Sequence, residues 1–184
     1  CIRDSAVERG EGVLSAHRAL VTETGERTGR SPNDKFIVDE ATTTEDINWG
    51  DVNVSTDLAT FTALRAKVVA FLEARDALFV QDLYCGAEST EALPIRVVTH
   101  NAWHSAFARN MFVRPDAARL AEHEPEFTVL HAPHFEADPA VDGVNSHVFV
   151  IVNYAAKEVI IGGSRYAGEI KKSIFSVMNL IPVS

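Results

Sequence analysis

His147-Val148-Phe149-Val150-Ile151-Val152-Asn153 and, after Tyr154-Ala155-Ala156-Lys157, Glu158-Val159-Ile160-Ile161 form the stretch that decides the fold. Two apolar runs rich in β-branched residues, joined by a short connection, predict a β-hairpin. Gly162-Gly163 ends the second strand, and a helix is expected to begin near Gly168. Ile170, Ile174, Val177, Met178 and Ile181 recur at helical spacing and form its buried stripe.

The same reading extends upstream. Asp57 opens a helix in which Leu58, Phe61, Leu64, Val68, Phe71 and Leu72 make one apolar stripe. Strands are expected over residues 35–39, 77–84, 95–99 and 127–131, and a helix over 101–112 with Trp103, Phe107 and Met111 at fourfold spacing. The first thirty residues are polar and rich in turn formers, and residues 24–34 read as an ordered loop. Strands interleaved with helices, with one hairpin among them, give an α/β fold: a mixed sheet flanked by helices. No repeat, low-complexity segment or long polar linker divides the chain, so residues 1–184 are read as one domain.

Composition bounds the function. The 184 residues carry 17 Lys+Arg against 26 Asp+Glu, a formal charge of −9. That balance argues against a nucleic-acid binder, whose affinity comes from neutralising phosphates. Hydrophobic residues make up 46%, enough for a sizeable core without disulfide staples. The apolar runs fall short of the roughly 18 residues a membrane span needs. Cys1 and Cys85 make no disulfide framework, and two free thiols fit a reducing, cytoplasmic compartment. Starting at Cys1 and stopping directly after a helical pattern, the chain reads as a piece of something longer.

Two places could carry chemistry. In Gly162-Gly163-Ser164-Arg165-Tyr166-Ala167-Gly168-Glu169-Ile170-Lys171-Lys172 a strand runs through a glycine pair into a helix whose first turns hold two lysines. A helix N-terminus is already positive, so Lys171 and Lys172 oppose its field unless an anion satisfies both. The plain alternative is that Glu169 offsets the dipole and both lysines are solvated. The spacing is not that of a P-loop. The second place is Thr28-Gly29-Arg30-Ser31-Pro32, where Arg30 on a proline-held backbone suits bidentate binding of a carboxylate or phosphate, or is an ordinary surface arginine.

Histidines offer a third possibility. His100 and His104 lie four apart as two zinc ligands might, but Asn101 stands where a His-Glu-x-x-His hydrolase has glutamate. His131 and His134 add a further pair. Histidines flanking a buried Trp103 suit a packing role better. No Gly-x-Ser-x-Gly elbow and no cysteine nucleophile setting is present.

The stretches 28–36, Trp103-His104-Ser105-Ala106-Phe107-Ala108-Arg109-Asn110-Met111-Phe112 and Tyr166-Ala167-Gly168-Glu169-Ile170-Lys171-Lys172-Ser173 together resemble ATP-dependent phosphoenolpyruvate carboxykinases. Asn48-Trp49-Gly50, Gln81-Asp82, Gly86-Ala87, Asn145-Ser146 and Gly162-Gly163 follow the same pattern in order. The resemblance implies the fold of that family's N-terminal, substrate-side domain and a reaction interconverting oxaloacetate with phosphoenolpyruvate and CO2. It implies ATP and a divalent ion, Mn2+ or Mg2+, as cofactors.

By the same resemblance Arg30 holds a substrate carboxylate and Tyr166 lines the substrate and CO2 site. Lys172 coordinates the metal as a neutral amine near the transferred phosphoryl group, and Lys171 adds positive potential that keeps it so. Asn33 and His100 depart from the pattern, where lysine and glutamate are common. The family's nucleotide loop, its metal-binding histidine and aspartate and its later phosphate-binding arginine lie beyond this chain. The domain is therefore expected to need a C-terminal nucleotide-binding partner domain and to be inactive alone. The rival reading is a non-catalytic dicarboxylate or anion-binding module, and a zinc hydrolase on His100 and His104 stands third.

Overall fold

The computed structural model describes residues 1–88 and 91–180. The 147–163 stretch forms the hairpin at the heart of the sheet: β8 (Phe149–Asn153) and β9 (Glu158–Gly162) pair antiparallel, with Ile151 opposite Ile160. His147 and Val148 precede the ladder because their backbone bonds go elsewhere. The His147 carbonyl accepts from Ala137 N–H, and Val148 N–H donates to Ser146 Oγ at 3.1 Å.

Around this hairpin a seven-stranded mixed sheet assembles in the order β4-β3-β8-β9-β7-β6-β5, with β3 (Lys35–Val38), β4 (Val54–Thr56), β5 (Phe79–Cys85), β6 (Leu93–Thr99) and β7 (Phe127–Ala132). β6, β7 and β9 run parallel to one another, as do β4, β3 and β8; the antiparallel pairs are β8 with β9 and β5 with β6. The expectation of a mixed sheet flanked by helices is met. Alternation along each strand divides the core in two. Ile37, Val150, Val152, Val159 and Ile161 face α3 (Ala102–Met111) and α6 (Gly168–Leu180). Phe36, Val38, Phe149, Ile151 and Ile160 face α2 (Leu58–Glu73).

α2 starts as its sequence requires: the Asp57 carboxylate accepts the Thr60 N–H at 2.6 Å, satisfying one of the donors a helix leaves free at its start. Phe61, Leu64, Val68 and Leu72 are buried, but Leu58 is exposed and Phe71 only partly covered, so the stripe is narrower than its spacing implied. The α6 stripe of Ile170, Ile174 and Val177 is buried, with Met178 packed beside it. Ile181 lies outside the described residues.

One expectation is corrected. The α3 residues Trp103, Phe107 and Met111 are not its buried face; Ala102, His104, Ser105, Ala106 and Ala108 are. Small side chains let this helix sit close against α1 (Ile2–Glu8) and β6, which leaves the large ones at the edge. The polar, turn-rich first thirty residues carry elements that the sequence reading did not place. They hold α1 and a separate hairpin, β1 (Gly12–Leu14) with β2 (Leu20–Thr22). Strands of three residues leave too short a pattern to register in sequence. Two short helices, α4 (Ala117–Ala121) and α5 (Pro139–Asp142), complete the described chain. No helix among the described residues is long and apolar enough to cross a membrane.

Candidate functional site

The arginine loop is held at both ends. Pro32 starts a single 3-10 turn over Pro32–Asp34, directly before β3. Buried Asp34 accepts from Ser146 Oγ at 2.8 Å and faces Arg27 at 3.6 Å, while Asn145 Nδ2 donates to the Asn33 carbonyl at 2.6 Å. At the other end Ser31 N–H donates to Glu169 Oε1 at 2.6 Å, joining the loop to the first turn of α6. Arg30 stands exposed between these anchors.

The loop from β9 to α6 is held from beneath. Gly163 has φ +70, and a Cβ there would strike the His147 carbonyl, so the turn that lifts the chain off the sheet needs glycine. Fully buried His131 bonds the Ser164 carbonyl through Nε2 at 3.2 Å, and fully buried His104 bonds the Arg165 carbonyl through Nε2 at 2.9 Å. Carbonyl oxygens only accept, so Nε2 carries the hydrogen in both rings. His131 Nδ1 then accepts from the Thr99 hydroxyl at 3.1 Å. Burial pushes the His131 pKa down to about 3. Burial, then the neighbouring His131, holds that of His104 well below the usual range. Both imidazoles are neutral donors at pH 7, and they fix the two residues before Tyr166.

Arg30, Tyr166, Gly168, Lys171, Lys172 and Phe175 line one cavity of about 370 Å³. All four residues singled out in sequence therefore meet in one place. The Tyr166 ring packs over Gly168 where a Cβ would collide with it. Lys172 Nζ lies 4.4 Å over the Phe175 ring. Beside the cavity, Lys35 Nζ donates to Ser176 Oγ at 3.0 Å, and that hydroxyl donates to the Lys172 carbonyl at 3.1 Å. Burial, and after it the charge of Lys172, lowers the pKa of Lys35. Among the described residues no acidic side chain lines the cavity, and Glu169 is buried rather than solvated. A pocket with three cationic side chains and a phenol on its wall suits a small anion bearing carboxylate or phosphate.

Sequence reasoning missed Phe175, Lys35 and the histidine supports. Lys35 sat within the arginine-loop motif, but the roles of His104 and His131 carried no signal, because both act on carbonyls of a distant loop.

A larger cavity of about 850 Å³ lies between the N-terminal segment and the start of α3, with Arg9, Glu11, His100, Trp103, His134 and Arg165 in its wall. Its charges are already partly paired: Arg9 bonds both Asp76 and Glu11. Trp103 is partly buried in this wall and not a core residue. His100 Nε2 meets His134 Nδ1 at 2.8 Å, while His104 turns to the Arg165 carbonyl. The pair expected at zinc spacing thus faces different partners. Among the described residues no group of three or more His, Cys, Asp or Glu is placed to hold a metal ion.

A curated relative from Brevibacillus brevis, named phosphoenolpyruvate carboxykinase (ATP), is 53% identical over 178 residues, covering 97% of this chain and 34% of the relative. One of the same name from Geotalea uraniireducens is 52% identical over 178 residues, covering 97% and 33%. Phosphoenolpyruvate carboxykinase (ATP) 1 of Salinibacter ruber is 52% identical over 176 residues, covering 96% and 33%. The chain thus spans about a third of the length of these relatives. The phosphoenolpyruvate carboxykinase family model matches residues 1–183, and on that match the chain belongs to the phosphoenolpyruvate carboxykinase family.

Proposed function

We propose that residues 1–184 are the substrate-side N-terminal domain of an ATP-dependent phosphoenolpyruvate carboxykinase, completed by a C-terminal nucleotide-binding domain outside this chain. The reaction converts oxaloacetate and ATP to phosphoenolpyruvate, ADP and CO2, a step of gluconeogenesis. The observation that carries this reading is the single cavity shared by Arg30, Tyr166, Lys171 and Lys172.

Loss of CO2 from oxaloacetate leaves its bonding electrons on the enolate of pyruvate, whose oxygen then takes the terminal phosphoryl group of ATP. Negative charge develops on that oxygen, so catalysis rests on fixed positive groups aimed at it. Arg30 holds a carboxylate with its planar fork, which orients the carbon that loses CO2. Lys171 and Lys172 face the enolate and the incoming phosphoryl group. The Tyr166 hydroxyl offers a hydrogen bond on the CO2 side. A divalent ion, Mn2+ or Mg2+, would supply further positive charge to this site, and Lys172 is the residue of this chain that would hold it. The donor chemistry of this cavity suits it in part: Lys172 is the one nitrogen donor we assign to it, and carboxylate and imidazole ligands come from outside the chain. Cys1 and Cys85 are both unpaired, which supports a cytoplasmic setting.

A non-catalytic anion-binding module would use the same cavity. Membership of the family and the one-third coverage of its curated members favour the enzyme. The test is Lys172→Met in the full-length protein that carries this chain. Decarboxylation is expected to be abolished while the circular dichroism spectrum stays that of the parent. Undiminished turnover would overturn the assignment.

A further inference from the structure

We infer that Glu169 is a positioning residue: its buried carboxylate latches the arginine loop to α6 and so sets Arg30 opposite Lys171 and Lys172. The inference rests on the substrate-binding role proposed for Arg30. An acidic residue in the first turn of a helix ordinarily sits in solvent and offsets the dipole. Glu169 does not: it is 6% exposed, and its Oε1 accepts the backbone N–H of Ser31, itself 4% exposed. This bond spans 138 residues of sequence. Arg30 directly precedes the bonded amide, and Tyr166, Lys171 and Lys172 flank the carboxylate on its own segment.

The arrangement divides the loop into two separately held ends. Asp34, with Ser146, Arg27 and the Asn145 bond to Asn33, ties the strand-side end to the segment before β8. Glu169 ties the Arg30 end. Removing the latch therefore frees Arg30 while β3 stays anchored. Burial raises the carboxyl pKa, and the Ser31 N–H and the Arg30 charge act in the opposite direction. The carboxylate also faces Lys35, so its charge and its hydrogen bond must be separated experimentally.

Steady-state kinetics of the full-length protein with four single variants separates them. Glu169→Gln keeps an acceptor oxygen for Ser31 and loses the charge. Glu169→Asp keeps the charge but withdraws the acceptor by one methylene. Glu169→Ala loses both. For the latch, Asp and Ala raise KM for oxaloacetate about tenfold with a smaller change in kcat, as expected for losing one buried, charge-assisted hydrogen bond, while Gln stays within about threefold. Equal KM in the Gln and Ala variants would show a purely electrostatic role and overturn the latch, as would parental KM in the Asp variant. If the Ala variant fails to fold, the Gln and Asp pair decides alone.

Arg30→Ala is the control. Parental KM and kcat there overturn the substrate-site reading and the latch with it. A defective Arg30→Ala beside a parental Glu169→Asp overturns the latch only. In the double variant Arg30→Ala/Glu169→Ala the second change is expected to add nothing to the first, because the latch acts through Arg30.

Discussion

Glu11 and Trp103 lie 92 residues apart, and the Glu11 carboxylate accepts the Trp103 backbone N–H at 2.8 Å. Its other oxygen accepts from Ala102 N–H at 3.1 Å, so a residue of the N-terminal segment caps α3 from a distance. The same carboxylate bonds Arg9, which in turn pairs with Asp76. One side chain thereby ties the N-terminal segment, the α2 exit and the start of α3 together.

Replacing Glu11 by Ala removes the cap and is expected to cost about 1–2 kcal/mol locally, in the range of helix-cap losses. Amide hydrogen exchange should accelerate at Ala102, Trp103 and residues 12–22 in the full-length protein. Unchanged protection there would show that the segment is held by apolar packing alone.

Acid should loosen the sheet end beneath the Tyr166 loop. His131 titrates near pH 3 when folded, against the 6.5 of a free imidazole. The unfolded chain therefore binds the extra proton first, and stability is full above pH 6.5 and falls as pH drops toward 3. Between pH 6.5 and 5 the loss is about 2 kcal/mol from this group, at about 1.4 kcal/mol per unit. Denaturant titrations at several pH values should show a shallower dependence in His131→Gln than in the parent. Identical slopes would contradict this account.

Gly168→Ala separates site geometry from stability. Alanine is a better helix former by up to about 1 kcal/mol, but its methyl would occupy the place of the Tyr166 ring. The melting temperature is expected to hold or rise while turnover of the full-length protein falls at least about tenfold, a barrier increase near 1.4 kcal/mol. A fully active variant would show that the Tyr166 ring position is immaterial.

Phe175 is 49% exposed, and Lys172 Nζ lies 4.4 Å from the centre of its ring. The ring positions Nζ in the cavity wall, an exposed contact worth about 0.5–1 kcal/mol, so Phe175→Ala is expected to lower kcat/KM two- to fivefold, roughly. Phe175→Tyr should restore it, since the ring face is kept. Loss of activity in both variants would assign Phe175 a different role.

The sequence was legible where one element met its surroundings in a regular way. The 149–162 hairpin and the 58–73 helix were found because burial imposes a period on consecutive residues. α3 was found but its buried face was misjudged, because a close approach selects small residues and puts Ala106 and Ala108, not Phe107, inside. The β1–β2 hairpin was missed for the opposite reason: Val13 and Val21, a facing pair, are 64% and 53% exposed, so burial left no pattern.

By itself the sequence determined the chemistry on offer: an arginine on a proline-held loop, two lysines in the opening turns of a helix, and the motif order shared with carboxykinases. These are properties of neighbours along the chain, set by local backbone preference and side-chain type. Only the tertiary structure decided that Arg30 and Lys172 line one cavity, that Glu169 is a buried acceptor for Ser31, and that His104 and His131 each bond a carbonyl of the loop before Tyr166. The sheet order β4-β3-β8-β9-β7-β6-β5 brings β3, with its preceding loop, beside the β8–β9 hairpin from which α6 departs. That strand order is set by packing two apolar faces at once, and no stretch of sequence specifies it alone.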